Sequence, residues 1–208
     1  MVVEPEPLAA RMLFGDHISQ ARKYAADLVE FGDILGLIGP LEFARLWSRH
    51  LLNSAIIAPL VWEGASVADI GTGAGLPGVV LAIARPDAHF TLIEPMERRA
   101  DWLQLECDRL KLSNVTVIRA RAEDVQLPVR VDQVTARAVS ALTKLLPLAV
   151  PLVRSSGQLI LMKGGRVAEE ITAAAKVIHR LRLSEVEVLE LGASELLEVT
   201  RVFRATVD

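Results

Sequence analysis

The stretch Val67-Ala68-Asp69-Ile70-Gly71-Thr72-Gly73-Ala74-Gly75-Leu76-Pro77-Gly78 decides how the rest of the chain is read. A short apolar strand runs into four glycines, and then into an apolar helix predicted from about Gly78 to Ala84. Glycine adopts positive φ without a Cβ clash, so such a turn can reverse sharply and bring backbone N–H groups up to a bound molecule. The free N–H groups of the helix start point at the same spot.

Gly73, Gly75 and Gly78 satisfy the dinucleotide fingerprint G-x-G-x-x-G, and acidic Glu94 closes the next strand. The register favours another ligand. The first glycine after the strand is Gly71, which gives Asp69-x-Gly71-x-Gly73-x-Gly75, the form used for S-adenosylmethionine (SAM). SAM has no pyrophosphate, so this loop need only receive an aminocarboxylate and a sulfonium. A nicotinamide oxidoreductase remains the alternative; it would need a proton donor over the cofactor, and after Glu94 the next histidine is His179, within a predicted surface helix.

The 208 residues, 51% hydrophobic and 24% charged, suit one α/β domain with a buried core. Residues 1–60 are expected to form a helical extension packed on a core formed by residues 61–208. No run of about 18 uncharged apolar residues occurs, and the start, Val2-Val3-Glu4-Pro5-Glu6-Pro7, lacks a basic leader; neither a membrane span nor a signal peptide is expected. A cytoplasmic chain, and a monomer, is the expectation. A single cysteine, Cys107, forms no internal disulfide and no metal cluster. Net charge is −3, but unevenly spread: residues 1–44 carry three basic and seven acidic groups, residues 45–166 fifteen and eleven, and residues 167–208 five and eight. The middle therefore carries +4 between acidic ends, compatible with a positive face over the cofactor.

Arg22 to Phe31 reads as a helix, and Pro40 starts another that carries Leu41 to Ser54. Leu46, His50 and Asn53 share one face of it, while Arg45 and Arg49 lie a turn apart on another. His50 and Trp47 either pack this helix onto the domain or belong to a basic lip that meets phosphate or a base. Phe90 to Glu94 is a second strand; Glu94 at its carboxyl end can accept both ribose hydroxyls of the cofactor. Arg98 and Arg99 open a helix whose Ala100, Leu103, Cys107 and Leu110 form an apolar face, so Cys107 reads as core. Val115 to Ile118 is a third strand, followed by Ala122 and Glu123 where an adenine edge could be read; Glu123 and Asp124 could instead cap a turn. A fourth strand near Gln133 to Ala136 ends in Arg137, a cation facing the reaction centre. Pro147 and Pro151 frame a helix expected to end at Gly157. Gln158 to Met162 is a fifth strand ending in Lys163, Ala168 to Leu181 is an amphipathic helix, and Ser184 to Leu191 with Leu197 to Ala205 form two terminal strands. The layout is α/β: a mostly parallel Rossmann-like sheet of the class I SAM-dependent methyltransferase type, with a C-terminal antiparallel hairpin, helices on both faces and an N-terminal helical extension.

Taken in order, several strings resemble the bacterial small-subunit ribosomal RNA guanine-N7 methyltransferase family of the RsmG type, also called glucose-inhibited division protein B. They are Arg45-Leu-Trp-Ser-Arg-His-Leu-Leu-Asn-Ser54, Asp69 to Gly78, Glu94 with Arg98-Arg99, Arg121-Ala-Glu-Asp124, Ala136-Arg-Ala-Val139 and Lys163-Gly164. The resemblance runs from Gly32 to about Glu170 and continues weakly beyond; before Gly32 it is poorer. It implies SAM contacts by Gly71, Leu76, Ala122, Glu123 and Arg137, and methyl transfer to a guanine of 16S rRNA, guanine 527 in the usual rRNA numbering. Thr72 stands where many members carry Ser. Asp69, Gly73, Gly75 and Glu94 complete the expected cofactor set, Arg137 is the expected positioning residue at the reaction centre, and Arg45, Arg49, His50, Arg98, Arg99 and Lys163 are the expected RNA contacts.

The motifs that are missing point the same way. Exocyclic amine methylation usually uses an Asn/Asp-Pro-Pro-aromatic turn after the fourth strand, where this chain reads Ala136-Arg137-Ala138-Val139. Pyrimidine C5 methylation needs a cysteine nucleophile. Guanine N7 has a free lone pair and no proton, so it needs neither base nor covalent help, and catalysis becomes mostly positioning. His50 is the one group of the expected site whose ordinary pKa lies near neutrality. A non-catalytic RNA-binding protein is the remaining alternative; it would keep the basic middle without needing Glu94 or Glu123.

Overall fold

The computed structural model describes residues 2–192 and 198–208. Seven strands form one sheet in the order β3-β2-β1-β4-β5-β7-β6. They are β1 (Ser66–Ile70), β2 (His89–Ile93), β3 (Val115–Ile118), β4 (Val131–Arg137), β5 (Val153–Lys163), β6 (Leu183–Leu191) and β7 (Thr200–Val207). The first five run parallel, and β7 lies antiparallel between β5 and β6. The chain leaves β1 towards β2 on one side and returns to β4 on the other, which opens a crevice at the carboxyl ends of β1 and β4.

Alternation along the strands feeds two cores. Val67, Phe90, Leu92, Ile160, Met162 and Val202 face one side, against the N-terminal helices α1 (Ala9–Phe14) and α2 (Ile18–Phe31) and against α4 (Gly78–Ala84) and α5 (Glu97–Leu110). Ala68, Ile70, Ile93, Leu159, Leu161 and Phe203 face the other, against α6 (Leu142–Ala149) and α7 (Val167–Arg180). A period of two with both faces covered is what an interior, mostly parallel sheet demands. The apolar face expected of α5 is buried at Ala100, Leu103, Cys107 and Leu110.

Three expectations are corrected. Pro40 does not start one α-helix: Pro40–Arg45 is a 3-10 turn, Leu46–Leu52 a π-helix, and Asn53–Ala55 a short α3. Arg45, at φ −143° and ψ 33°, breaks the first turn from the second. Pro147 does not frame a helix but lies inside α6, and Gly157 does not end one: α6 stops at Ala149, a 3-10 turn covers Val150–Leu152, β5 begins at Val153, and Gly157 lies within it. A Cβ on Gly157 would sit 2.5 Å from the Asp132 carbonyl oxygen, beside a register shift between β4 and β5, so close backbone approach is why glycine stands there. The helix α1 was not foreseen. The expected start of the last strand, Leu197, lies outside the described residues, and the strand is observed from Thr200.

Candidate active site

The turn between β1 and α4 is held from three directions. Gly71, Gly73 and Gly75 all have positive φ, at 64°, 60° and 96°. Asp69 is fully buried, and its Oδ2 accepts the Gly78 N–H at 2.9 Å. Burial pushes its carboxyl up to about 7, against the opposing pull of the Gly78 N–H and Arg137. From the N-terminal side, the buried Tyr24 hydroxyl donates to the Ala74 carbonyl at 2.6 Å. Beneath the turn, Glu94 Oε2 accepts the Gly73 N–H at 2.9 Å and its Oε1 the Met96 N–H at 3.0 Å. A Cβ on Gly75 would lie 2.5 Å from Val79 Cγ2, so that glycine is needed for packing. A Cβ on Gly73 would meet nothing nearer than the Gly71 carbonyl oxygen at 3.9 Å; the space beside it is open.

Next to this turn lies a small apolar slot of about 170 Å³, lined by Ile70, Gly71, Ile93, Ala122, Glu123 and Val139 among others. Three of the expected cofactor residues, Gly71, Ala122 and Glu123, thus converge. Glu123 is half exposed and only loosely paired with Arg121, at 3.9 Å, so its carboxylate is available to a ligand. Leu76 is half-buried and packs on the core behind the turn.

Across Val139 a larger and more polar cleft of about 480 Å³ opens, lined by Arg49, Asn53, Arg137, Lys163, Thr200 and Arg201 among others. Its cations are mostly engaged. One Arg137 nitrogen donates to the Arg49 carbonyl at 2.9 Å and approaches His50 Nδ1 at 3.2 Å; the other donates to Ser54 Oγ at 3.1 Å and to the His50 carbonyl at 3.3 Å. Burial, then the nearby Arg49 charge, lowers its pKa to about 10. Arg45, Arg49 and His50 converge on one carboxylate, Glu42, at 2.6, 3.3 and 2.9 Å. Burial and then Arg137 push His50 down to about 4, which leaves the ring neutral with Nε2–H on Glu42 and Nδ1 turned to Arg137. His50 therefore does not titrate near neutrality, contrary to expectation. Lys163 pairs with Glu170 at 2.7 Å and donates to the Ser140 carbonyl at 2.8 Å. Arg98 and Arg99 line neither cleft; Arg99 donates to the Gly36 carbonyl at 2.8 Å.

Sequence reasoning missed Tyr24, Glu42, Val139 and Glu170. Two of them act on partners that no local pattern specifies: Tyr24 meets Ala74, and Glu170 meets Lys163; Glu42 meets Arg45 three residues on, a pair that helical spacing could have shown. The strand-end rule could have singled out Val139, two residues beyond β4.

The sheet order, the acid-ended second strand and the glycine turn beside an adenine-sized slot define a class I SAM-dependent methyltransferase. The residues fit the cofactor: open space at Gly73, a free carboxylate at Glu123 and apolar walls between them. A solved structure from M. jannaschii, TYW2 in complex with AdoMet, shares the fold with a TM-score of 0.58 at 19% identity, covering 76% of this chain and 74% of that one. Residues 17–197 match the family described as rRNA small subunit methyltransferase G (GidB), and the chain belongs to that family. It is 58% identical to the ribosomal RNA small subunit methyltransferase G of Clavibacter michiganensis subsp. michiganensis, over 100% of this chain and 98% of that protein. The protein of that name from Leifsonia xyli subsp. xyli is also 58% identical, over 99% and 98%.

Proposed function

We propose that this chain transfers the methyl group of SAM to N7 of a guanine in 16S rRNA, acting as a monomer in the cytoplasm. Bound in the slot, SAM supplies an electrophilic sulfonium methyl. Glu94 and Glu123 hold its ribose and adenine, the open space at Gly73 receives its aminocarboxylate end, and Val139 separates it from the acceptor cleft. The observation that carries the N7 reading is the wall between the two clefts. Val139 forms it, with Ala138 and Ser140 beside it on the acceptor side; of the two carboxylates that line this cleft Glu170 is paired with Lys163 and Glu198 is solvent-exposed, the nearby His50 is neutral with both ring nitrogens engaged, and Cys107 is buried in α5. An acceptor that must shed a proton finds no poised base there, whereas a ring nitrogen needs none. Positioning alone can then supply the rate, with effective molarities that reach about 10⁵ M or more.

Arg49, which lines the acceptor cleft, and Arg45, paired to the same Glu42, are suited to rRNA phosphates, as are Arg98 and Arg99 on α5. The nicotinamide reading loses ground because Glu94 already places a carboxylate on the Gly73 N–H, where a pyrophosphate would be repelled. Among the described residues no helix is long and apolar enough to cross a membrane. The test is SAM-dependent tritium transfer to 16S rRNA from cells lacking the protein, with the product mapped by chemistry that cleaves at N7-methylguanine. Label at one cleavable guanine is expected; label that resists the cleavage chemistry overturns the N7 assignment.

A further inference from the structure

Lys163 ends β5 with its side chain only 9% exposed, and a buried ammonium is costly unless it is fully partnered. Its partners all belong to one loop and the helix behind that loop. Nζ donates to the Ser140 carbonyl at 2.8 Å and pairs with Glu170 Oε2 at 2.7 Å; the same Oε2 accepts the N–H of Leu142, the first residue of α6, at 3.0 Å. Residues 138–141, between β4 and α6, are thereby pinned at the middle and at the exit. The entry is strained: Ala138 has φ 54°, which an alanine holds only when its surroundings impose it. Val139, between these points, lines both clefts.

We infer that Lys163 and Glu170 act as a clamp that fixes the 138–141 loop, so that Val139 sets the distance between cofactor slot and acceptor cleft; both are positioning residues for methyl transfer. The inference rests on the methyltransferase reading above. It gives Lys163 a different role from the phosphate contact that its sequence position suggests, because a phosphate would have to draw the ammonium away from two close partners. It also accounts for Glu170, a carboxylate lining a cleft meant for a polyanion. Pairing keeps the cleft from presenting a bare ammonium to the ring, which gains positive charge as the N7–C bond forms and the S–C bond breaks with its electron pair leaving on sulfur.

The two roles differ in which kinetic constant they move. With the full chain, 16S rRNA as substrate and saturating SAM, Lys163→Met and Glu170→Leu are each expected to slow single-turnover transfer by about tenfold or more. The KM for RNA should stay within about threefold, and the double variant should be no slower than the slower single one. Glu170→Gln keeps an oxygen acceptor without the charge, so a loss of about threefold at unchanged KM is expected. The clamp is overturned if Lys163→Met raises the KM for RNA at unchanged rate, if Glu170→Leu lowers that KM at unchanged rate, or if the double loss is the product of the single ones. Where the methionine or leucine variant does not fold, Glu170→Gln decides: a slower rate supports the clamp, and the wild-type rate overturns it. Failure of the parent reading looks different, because the unmodified protein would then transfer no methyl to the RNA.

Discussion

Gly73 and Gly75 are two residues apart and have different jobs. Gly75 is closed in by Val79 and the Tyr24 hydroxyl, while Gly73 looks into open space. A Cβ at Gly73 meets only the Gly71 carbonyl oxygen, at an ordinary contact distance of 3.9 Å; Gly73→Val fills the open space proposed for ligand and strains φ by about 1–2 kcal/mol. The variant should stay folded and lose SAM binding by calorimetry; unchanged affinity would remove the turn from the cofactor site. Glu94→Ala takes a carboxylate from two backbone N–H groups and from the ribose contact proposed for it. A charged hydrogen bond contributes about 1.5–3 kcal/mol, so SAM affinity should fall roughly tenfold to a hundredfold; no loss on titrating the folded variant would place the ribose elsewhere. Proton-transfer chemistry is tested by pH. His50 is held down to about 4 and Arg137 at about 10, so neither changes charge between about pH 6.5 and 8.5. Asp69, at about 7, does, but it is buried behind the glycine turn and should affect SAM affinity rather than the chemical step. Single-turnover transfer at saturating SAM and rRNA should vary by less than a few-fold across that range. A rate that climbs tenfold per pH unit would mean a base is being deprotonated, and would point to an amine or hydroxyl acceptor.

Among the elements, the π-helix Leu46–Leu52 shows where sequence reading stops. Apolar spacing foretold a helical segment with Leu46, His50 and Asn53 on one face and left Trp47 open between packing and a basic lip; of these, Leu46 and Trp47 are the pair found buried. It could not foretell the widened turn, because the group that takes the Arg49 and His50 carbonyls is Arg137, more than eighty residues away. Such widened turns recur at functional sites; here it brings Arg49 into the acceptor cleft. The strand β3 was legible to the residue and β1 to within one, since apolar runs bounded by turn residues carry their own limits. Gly157 misled because a glycine needed for close strand approach looks the same in sequence as one that ends a helix. The slot residues Gly71, Ala122 and Glu123 were legible through the strand-end rule; the convergence of Arg49 and His50 on Glu42 was not, since it spans the 3-10 and π turns, whereas the Glu42–Arg45 pair has ordinary i,i+3 spacing. Arg137→Met should free those carbonyls. At about 1.5–3 kcal/mol for hydrogen bonds to a charged group, and about 2–4 °C per kcal/mol in a chain of this size, the melting temperature should fall by roughly 3–12 °C. A variant that melts with the wild type would mean the π-helix does not depend on Arg137.

Across the whole molecule, the N-terminal helices and the sheet share one apolar core, and the contact between α2 and α5 contains a cost. Asp27 and Glu106 are buried there together; Arg109 reaches Asp27 at 2.9 Å, but neither Glu106 oxygen has a hydrogen-bond partner among the described residues. Burial, and then the Asp27 charge, raises Glu106 from its ordinary 4.5 to about 8, while Arg109 and Lys23 oppose the rise. A raised carboxyl pKa means the folded chain holds a proton that the unfolded chain has released. Stability therefore declines as pH rises from about 4.5 towards about 8, and this group adds no further decline above that. Asp69 acts in the same sense, from 3.8 to about 7. Glu106→Gln keeps the shape and stays neutral, so it should flatten the fall in melting temperature between about pH 5 and 8.5, leaving the Asp69 decline and, up to about pH 6.5, the opposite contribution of His50, whose folded value is held down to about 4. At the alkaline end the variant should melt above the wild type; at the acid end, where Glu106 already carries its proton, the two should coincide. Parallel curves over the whole range would show that Glu106 is ionised in the folded chain, with Arg109 and Lys23 outweighing both its burial and its neighbour Asp27.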